Sequence, residues 1–207
     1  MPDKPHVYIV DDDEAVRDSL SVLIEGDGFA VRSFASAPSF LAAAADLPPG
    51  VLIADIRMPE MDGLELQQRL AERALAFPMI IITGHGDVPL AVRAMKAGAL
   101  DFIEKPFAAQ TILDSVGNAI GALAPGHDRN PAAAAAAARL ELLSPRERQV
   151  LEGLLAGLPN KSIAYDLAIS PRTVEVHRAR LMDKTGARSL SELIRLALAA
   201  GVRPKPP

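Results

Sequence analysis

The feature that most constrains the fold is a change of rhythm along the chain. Up to about residue 120, short runs of β-branched and aliphatic residues alternate with helix-length segments; beyond residue 139 only helical patterns continue. The alternation predicts strands at 6–11, 29–34, 51–55, 78–83 and 100–104, and helices at about 13–26, 36–45, 62–75, 86–97 and 107–122. Strands joined through helices run parallel, by right-handed crossovers, with helices on both faces of the sheet. Val51-Leu-Ile-Ala and Met79-Ile-Ile-Ile are apolar without interruption, as central strands buried on both faces must be. The expected fold is therefore α/β, a doubly wound five-stranded parallel sheet, followed by a small all-α domain of four helices.

Helix-start chemistry organises the second part. Ser144-Pro-Arg-Glu147 and Ser189-Leu-Ser-Glu192 read as capping boxes, Asn160 as the cap of a short helix, and Ser170-Pro171 as the start of a third helix reaching about Lys184. The second and third of these helices are joined by a tight turn. Between the halves, residues 124–131 read as a loop and Ala132–Ala138 as a low-complexity run, with Asn130 and Pro131 fit to start a short helix if one forms. The preferred division is 1–123, a linker over 124–138, and 139–207.

Charge separates along the same line. Residues 1–138 hold 10 Lys+Arg against 19 Asp+Glu, a balance of −9; residues 139–207 hold 12 against 7, a balance of +5. The basic part suits a polyanion such as the nucleic-acid backbone. The chain has no cysteine, which excludes disulfides, zinc–thiolate sites and a cysteine nucleophile. No apolar run approaches the 18 or so residues of a membrane span, and the N-terminus lacks the shape of a secretory signal, so a cytoplasmic location without membrane contact is expected.

The unusual residues of the first part fall at strand ends. Strand 1 ends in Asp11-Asp12, strand 3 in Asp55, strand 4 in Thr83-Gly84 and strand 5 in Glu104-Lys105-Pro106. In a doubly wound sheet the carboxyl ends of the strands border the ligand crevice. Carboxylates gathered there repel one another unless a cation joins them, and a hard, oxygen-seeking divalent ion such as Mg²⁺ fits. Asp55 is then a candidate nucleophile toward a phosphoryl group, with Lys105 and Thr83 against its oxygens. Taken singly, each residue has a plainer role: Asp11 to Asp13 as helix caps, Thr83 as a strand residue, Lys105 as solvated surface. Their joint occurrence at successive strand ends favours the pocket.

Val-Asp-Asp at 10–12, Asp-Ile-Arg-Met-Pro-x-Met-Asp-Gly at 55–63, Thr-Gly-His-Gly-Asp at 83–87 and Asp-Phe-Ile-Glu-Lys-Pro-Phe at 101–107 together resemble the receiver domain of two-component response regulators, a flavodoxin-like fold. The resemblance implies that Asp55 accepts a phosphoryl group from a sensor histidine kinase. It also implies that Asp11, Asp12, Asp55 and the Arg57 backbone carbonyl hold Mg²⁺, and that Lys105 holds a phosphoryl oxygen. Thr83 and Phe102 would form a switch pair. In that family the face bearing strand 4 and the next helix commonly pairs two receivers; here Val88, Val92, Met95 and Ala99 fall there, with a core role preferred.

In 160–184, Ile163, Ala164, Leu167, Ile169, Val174, Leu181 and His177 share the inward phase, while Arg172, Glu175, Val176, Ala179, Arg180 and Asp183 share the outward one. A basic helical hairpin of this kind fits a major groove, although it also suits a protein partner. The wider run, Leu-Ser-Pro-Arg-Glu-Arg-Gln-Val-Leu at 143–151, Gly-Leu-Pro-Asn-Lys-Ser-Ile-Ala at 157–164 and Ile-Ser-Pro-Arg-Thr-Val-Glu-Val-His-Arg at 169–178, is similar to the LuxR-type helix-turn-helix domain, and both halves, outside the linker, resemble the FixJ-type regulators. This implies base contacts by Glu175, Val176, Ala179 and Arg180, and phosphate contacts by Lys161, Arg172, Thr173 and Arg178. It further implies a phosphorylation-dependent homodimer with helix 189–199 as a candidate dimer surface, promoter DNA and RNA polymerase as partners, and a FixL-like kinase controlling oxygen-responsive or nitrogen-fixation-type genes. No catalysis is expected beyond self-phosphorylation and self-dephosphorylation at Asp55. A same-build regulator of another signal is the neighbouring reading. Two others are an aspartate-dependent phosphatase of the haloacid dehalogenase type, which lacks the further acidic pair after Lys105 that the scheme needs, and a constitutive DNA-binding module.

Overall fold

The computed structural model describes residues 4–84, 88–123 and 129–202. The chain divides into two compact units, one formed by Met1–His85 and Ala97–Gly126, the other by Gly86–Lys96 and His127–Pro207.

The first unit is built on five parallel strands, β1 (His6–Val10), β2 (Ala30–Phe34), β3 (Gly50–Asp55), β4 (Met79–Thr83) and β5 (Asp101–Glu104), in the order β2-β1-β3-β4-β5. Every residue of β3 and β4 is buried, which is why their sequences are apolar without alternation. On one face, Val7, Ile9, Val51, Ile53, Ile80, Ile82 and Ile103 pack against Leu20 and Ile24 of α1 (Glu14–Gly26) and Ile112, Val116 and Ala119 of α5 (Ala109–Leu123). On the other, Tyr8, Phe34, Phe40 and Phe77 form a group of tilted and edge-to-face rings beside α2 (Ala37–Ala43) and α3 (Gly63–Glu72), with ring centroids 5.2–5.9 Å apart.

Local caps set where the helices begin. The Asp13 carboxylate accepts from the Ala15 amide to start α1, Ser36 from Ser39 to start α2, and Asp62 from Glu65 to start α3. Capping in the acidic run therefore falls to Asp13, and Asp11 and Asp12 serve no such role. The expected helix at 86–97 is α4 (Val88–Lys96), which groups with the second unit; Val92, Met95 and Ala99 are buried, and the Val88 side chain lies outside the described residues.

The second unit adds α6 (Arg129–Glu141), α7 (Pro145–Leu155), α8 (Asn160–Asp166), α9 (Pro171–Thr185) and α10 (Leu190–Ala199). The alanine run is helical rather than a loose linker. Alanine has the highest intrinsic helix propensity, and Ala136 and Leu140 gain burial as α6 packs along α10 and α9. The helix starts at Arg129, ahead of the expected start at Asn130 and Pro131; residues 124–128 of the expected loop lie outside the described residues. The Ser144 capping box is complete. At Ser189 the hydroxyl caps Glu192, but the Glu192 carboxylate reaches the Arg188 amide instead of completing a box. Asn160 does not cap α8: Pro159 holds the cap position, and the Asn160 side chain accepts from Arg178 of α9 at 3.1 Å. Val150, Leu151, Leu154, Ile163, Val174, Leu181, Leu193 and Ile194 form the buried interior.

The turn between α8 and α9 carries strain. Glycine follows the ends of α7 (Gly157, φ +77°) and α9 (Gly186, φ +68°), but α8 is followed by Ala168 at φ +52°, in the left-handed region that penalises a Cβ. Ala168→Gly is expected to raise unfolding stability by about 0.5–1 kcal/mol, read as a higher urea midpoint at unchanged slope; a lower midpoint would contradict the strain.

Candidate functional site

The sheet order places the ends of β1, β3 and β5 around one crevice. The Lys105 ammonium, just beyond β5, donates to Asp11 Oδ2 at 2.8 Å and to Asp55 Oδ1 at 2.7 Å. Asp11 is 1% exposed and Asp55 6%, so two buried carboxylates share one cation. Backbone amides take the other oxygens: Asp13 N–H donates to Asp11 Oδ1 at 2.9 Å and Arg57 N–H to Asp55 Oδ2 at 2.6 Å. The Arg17 guanidinium donates to the Asp11 and Asp12 carbonyls at 2.8 and 3.0 Å, bracing the β1–α1 corner. Burial pushes the Asp11 carboxyl above the usual carboxylate range, against the pull of Lys105 and the Asp13 amide. Burial also lowers the Lys105 ammonium, but its bonds to Asp11 and Asp55 outweigh this and hold it above the ordinary lysine value.

The remaining expected residues surround this pair. Thr83 ends β4 with no exposure, and its carbonyl accepts the Lys105 amide at 2.7 Å. Phe102, half-buried, pairs in register with Ile81, two residues before Thr83, so Phe102 and Thr83 lie on the same face of the sheet. Asp12 is exposed, and among the described residues no group of three or more His, Cys, Asp or Glu draws together as a ready metal site. The donors present are nonetheless all oxygen, in a pocket short of positive charge. Mg²⁺ binds through one or two carboxylates with retained waters, so it fits this set. The role of Gly63 was not legible from spacing alone: a Cβ there would stand 2.5 Å from the Asp55 carbonyl oxygen, so only glycine lets α3 start against the end of β3.

In the second unit, α9 presents its outer face to solvent. Arg172, Glu175, Val176, Ala179 and Arg180 are exposed, as is Lys161 on α8. Thr173 and Arg178 are half-buried: the Thr173 hydroxyl pairs with Ser170 at 2.8 Å, and Arg178 is held by Asn160. Val174 and Leu181 point inward, and the enclosed Nδ1 of His177 has no hydrogen-bond partner, in keeping with a packing role. The C-terminal end of α9 is pinned to α7. Lys184 donates to the buried Glu147 carboxylate at 2.8 Å and to the Leu142 carbonyl at 3.3 Å. The Lys184 ammonium and the Ser144 amide lower the Glu147 carboxyl to about 2. In α10, Leu193, Ile194 and Ala197 are buried.

A doubly wound sheet closing on a lysine-bridged carboxylate pair, with a helix-turn-helix unit after it, defines a DNA-binding response regulator. Residues 7–117 match the response regulator receiver domain, and residues 141–197 match the luxR family of bacterial regulatory proteins. The chain is 54% identical over 202 residues to the transcriptional regulatory protein FixJ of Rhizobium meliloti (strain 1021), covering 96% of this chain and 97% of that protein. It is 46% identical over 191 residues to the response regulator protein TmoT of Ectopseudomonas mendocina, covering 92% and 86%. The crystal structure of full-length FixJ from B. japonicum superposes with a TM-score of 0.59 at 51% identity, covering 96% of this chain and 98% of that one. The chain belongs to the FixJ-type two-component response regulators with a LuxR-type DNA-binding domain.

Lys105→Met strands two buried carboxylates, and chemical denaturation in chelator should show the first unit destabilised by about 2–3 kcal/mol, discounted for the partly open ammonium. Adding Asp11→Asn should recover more than half of that loss; no recovery would show that the ion pair is not the source. For Glu147, whose folded-state proton affinity lies below its ordinary value of 4.5, the stabilisation is complete above 4.5 and is lost as pH falls toward about 2. Glu147→Gln should flatten that acid slope in the second unit's unfolding, and an unaltered slope would assign it to other carboxyls.

Proposed function

We propose that Asp55 accepts a phosphoryl group from a cognate sensor histidine kinase, FixL-like in kind, and that this promotes homodimerisation and sequence-specific promoter binding to activate transcription with RNA polymerase. The observation that carries the reading is the Lys105 ammonium joining Asp11 and Asp55 in a buried crevice at the strand ends. The Asp55 carboxylate forms the new O–P bond as the N–P bond of the kinase's phosphohistidine breaks, and the imidazole leaves. Arg57 N–H, 2.6 Å from Asp55 Oδ2, fixes the carboxylate plane, so that a single oxygen meets the incoming phosphorus. Lys105 exchanges its bond to Asp55 for one to a phosphoryl oxygen, and the Thr83 hydroxyl supplies a second donor. Asp11, Asp12, Asp55 and the Arg57 carbonyl would hold Mg²⁺, which when bound supplies positive charge against the phosphoryl oxygens.

The added dianionic group draws Thr83 and Phe102 inward and reorders the β4–β5 end of the sheet. The chain acts on no other substrate; its only chemistry is its own phosphorylation and dephosphorylation. Work on promoter DNA puts the proposed activity in the cytoplasm, as the match to the luxR family of bacterial regulatory proteins supports. The likeness to FixJ proteins supports oxygen-responsive or nitrogen-fixation-type target genes. A same-build regulator of another signal is the second reading, supported by the 46% identity to TmoT.

Acetyl phosphate with Mg²⁺ should tighten binding of the parent protein to promoter DNA at least ten-fold and leave Asp55→Asn unchanged, measured by fluorescence anisotropy at fixed salt. Equal affinity with and without acetyl phosphate would contradict the switch.

A further inference from the structure

Tyr165 is the most exposed large hydrophobic residue among those described, at 86%, and its hydroxyl makes no hydrogen bond to any described residue. A tyrosine ring carries a large apolar surface with a polar tip, and folded chains commonly bury it or hold it against a partner. Nothing in the packing of α8 requires a ring here. Ile163 and Ala164 supply the buried face of this short helix, and Tyr165 stands on the side turned away from them. One turn earlier on that outer side is Lys161, also exposed, at the i,i+4 spacing that makes two side chains neighbours. Beyond the end of α8 the Arg146 guanidinium donates to the Leu167 carbonyl at 3.4 Å, and Arg172 stands exposed at the start of α9. Asp166, exposed on the flank of α8, is the one acidic side chain of this short helix. The outer side of α8 thus carries a phenol beside a lysine, with arginines on the elements before and after the helix, in a segment whose formal balance is +5 over residues 139–207.

We propose that Tyr165 is a DNA-backbone contact. Its hydroxyl donates to a phosphate oxygen on the strand that α8 crosses, and Lys161 neutralises a phosphate beside it. The inference rests on the reading of α8–α9 as a helix-turn-helix, in which the first helix crosses the backbone while the second enters the groove. Phosphate suits the site better than an apolar partner surface. The only donor that reaches beyond the ring is a hydroxyl, the surrounding charge is mainly positive, and tyrosine is among the side chains that bond phosphate oxygens. The contact carries no sequence information; it fixes where α9 sits in the groove.

The two neighbours then separate in one experiment. Lys161 displaces a condensed counterion when it meets phosphate, whereas a neutral phenol displaces none. The full-length protein, treated with acetyl phosphate and Mg²⁺, is titrated against a 40-base-pair promoter duplex over a series of salt concentrations. Tyr165→Phe, which keeps the ring and cannot unfold an exposed position, should weaken binding roughly five-fold with an unchanged salt slope. Lys161→Ala should weaken it and lower the log–log slope by about one. Parent-like affinity for Tyr165→Phe would overturn the contact, as would unchanged DNA occupancy with reduced transcription in a reconstituted assay, which would assign the ring to the polymerase. Failure of the parent protein itself to bind the duplex would sink the DNA-binding reading instead, and so stays distinguishable.

Discussion

One ammonium between two buried carboxylates organises the first unit. Asp11 and Asp55 are almost wholly withdrawn from water, and without a cation their charges would oppose folding. Lys105 meets both only because β1 and β3 are neighbours and β5 ends at the same edge of the sheet. The strand order, the apolar continuity of β3 and β4, and the glycine that lets α3 start against the Asp55 carbonyl all serve that meeting. A pair held this way is responsive as well as stable, because any new negative group on Asp55 competes directly for the same lysine.

The second unit solves a different problem, that of holding α9 firmly while leaving its outer face bare. Serine caps open α7, α9 and α10, and cations close the C-terminal ends of α6 and α9. Arg148 donates to the Leu140 carbonyl, Lys184 to that of Leu142 and Arg139 to that of Thr185, each placing positive charge where the helix dipole is negative. With α9 fixed by Val174, Leu181 and the Lys184–Glu147 pair, the side chains on its far side need no internal partner.

Much of this was legible in the sequence, because strand-end chemistry and caps are local signals. Asp55, Thr83 and Lys105 each follow an apolar run short enough to be a strand, so their convergence followed from the parallel topology. What was not legible depends on tertiary competition. The alanine run has no periodicity to reveal that α10 and α9 would receive it, and Asn160 resembles a cap until a guanidinium from α9 offers it a charged donor. Three adjacent aspartates are indistinguishable by type, yet one caps α1, one is buried on Lys105 and one faces solvent. An exposed tyrosine inside a helical pattern likewise gives no sign of its exposure in the sequence.

The central claim is that this lysine-bridged crevice makes one carboxylate, Asp55, the acceptor among several. Borohydride trapping of the acyl phosphate after treatment with a small phosphodonor, followed by peptide mass spectrometry, tests it directly. Modification is expected at Asp55 and none at Asp11, Asp12 or Asp13. Label on one of those three, or label that persists undiminished in Asp55→Asn, would contradict it.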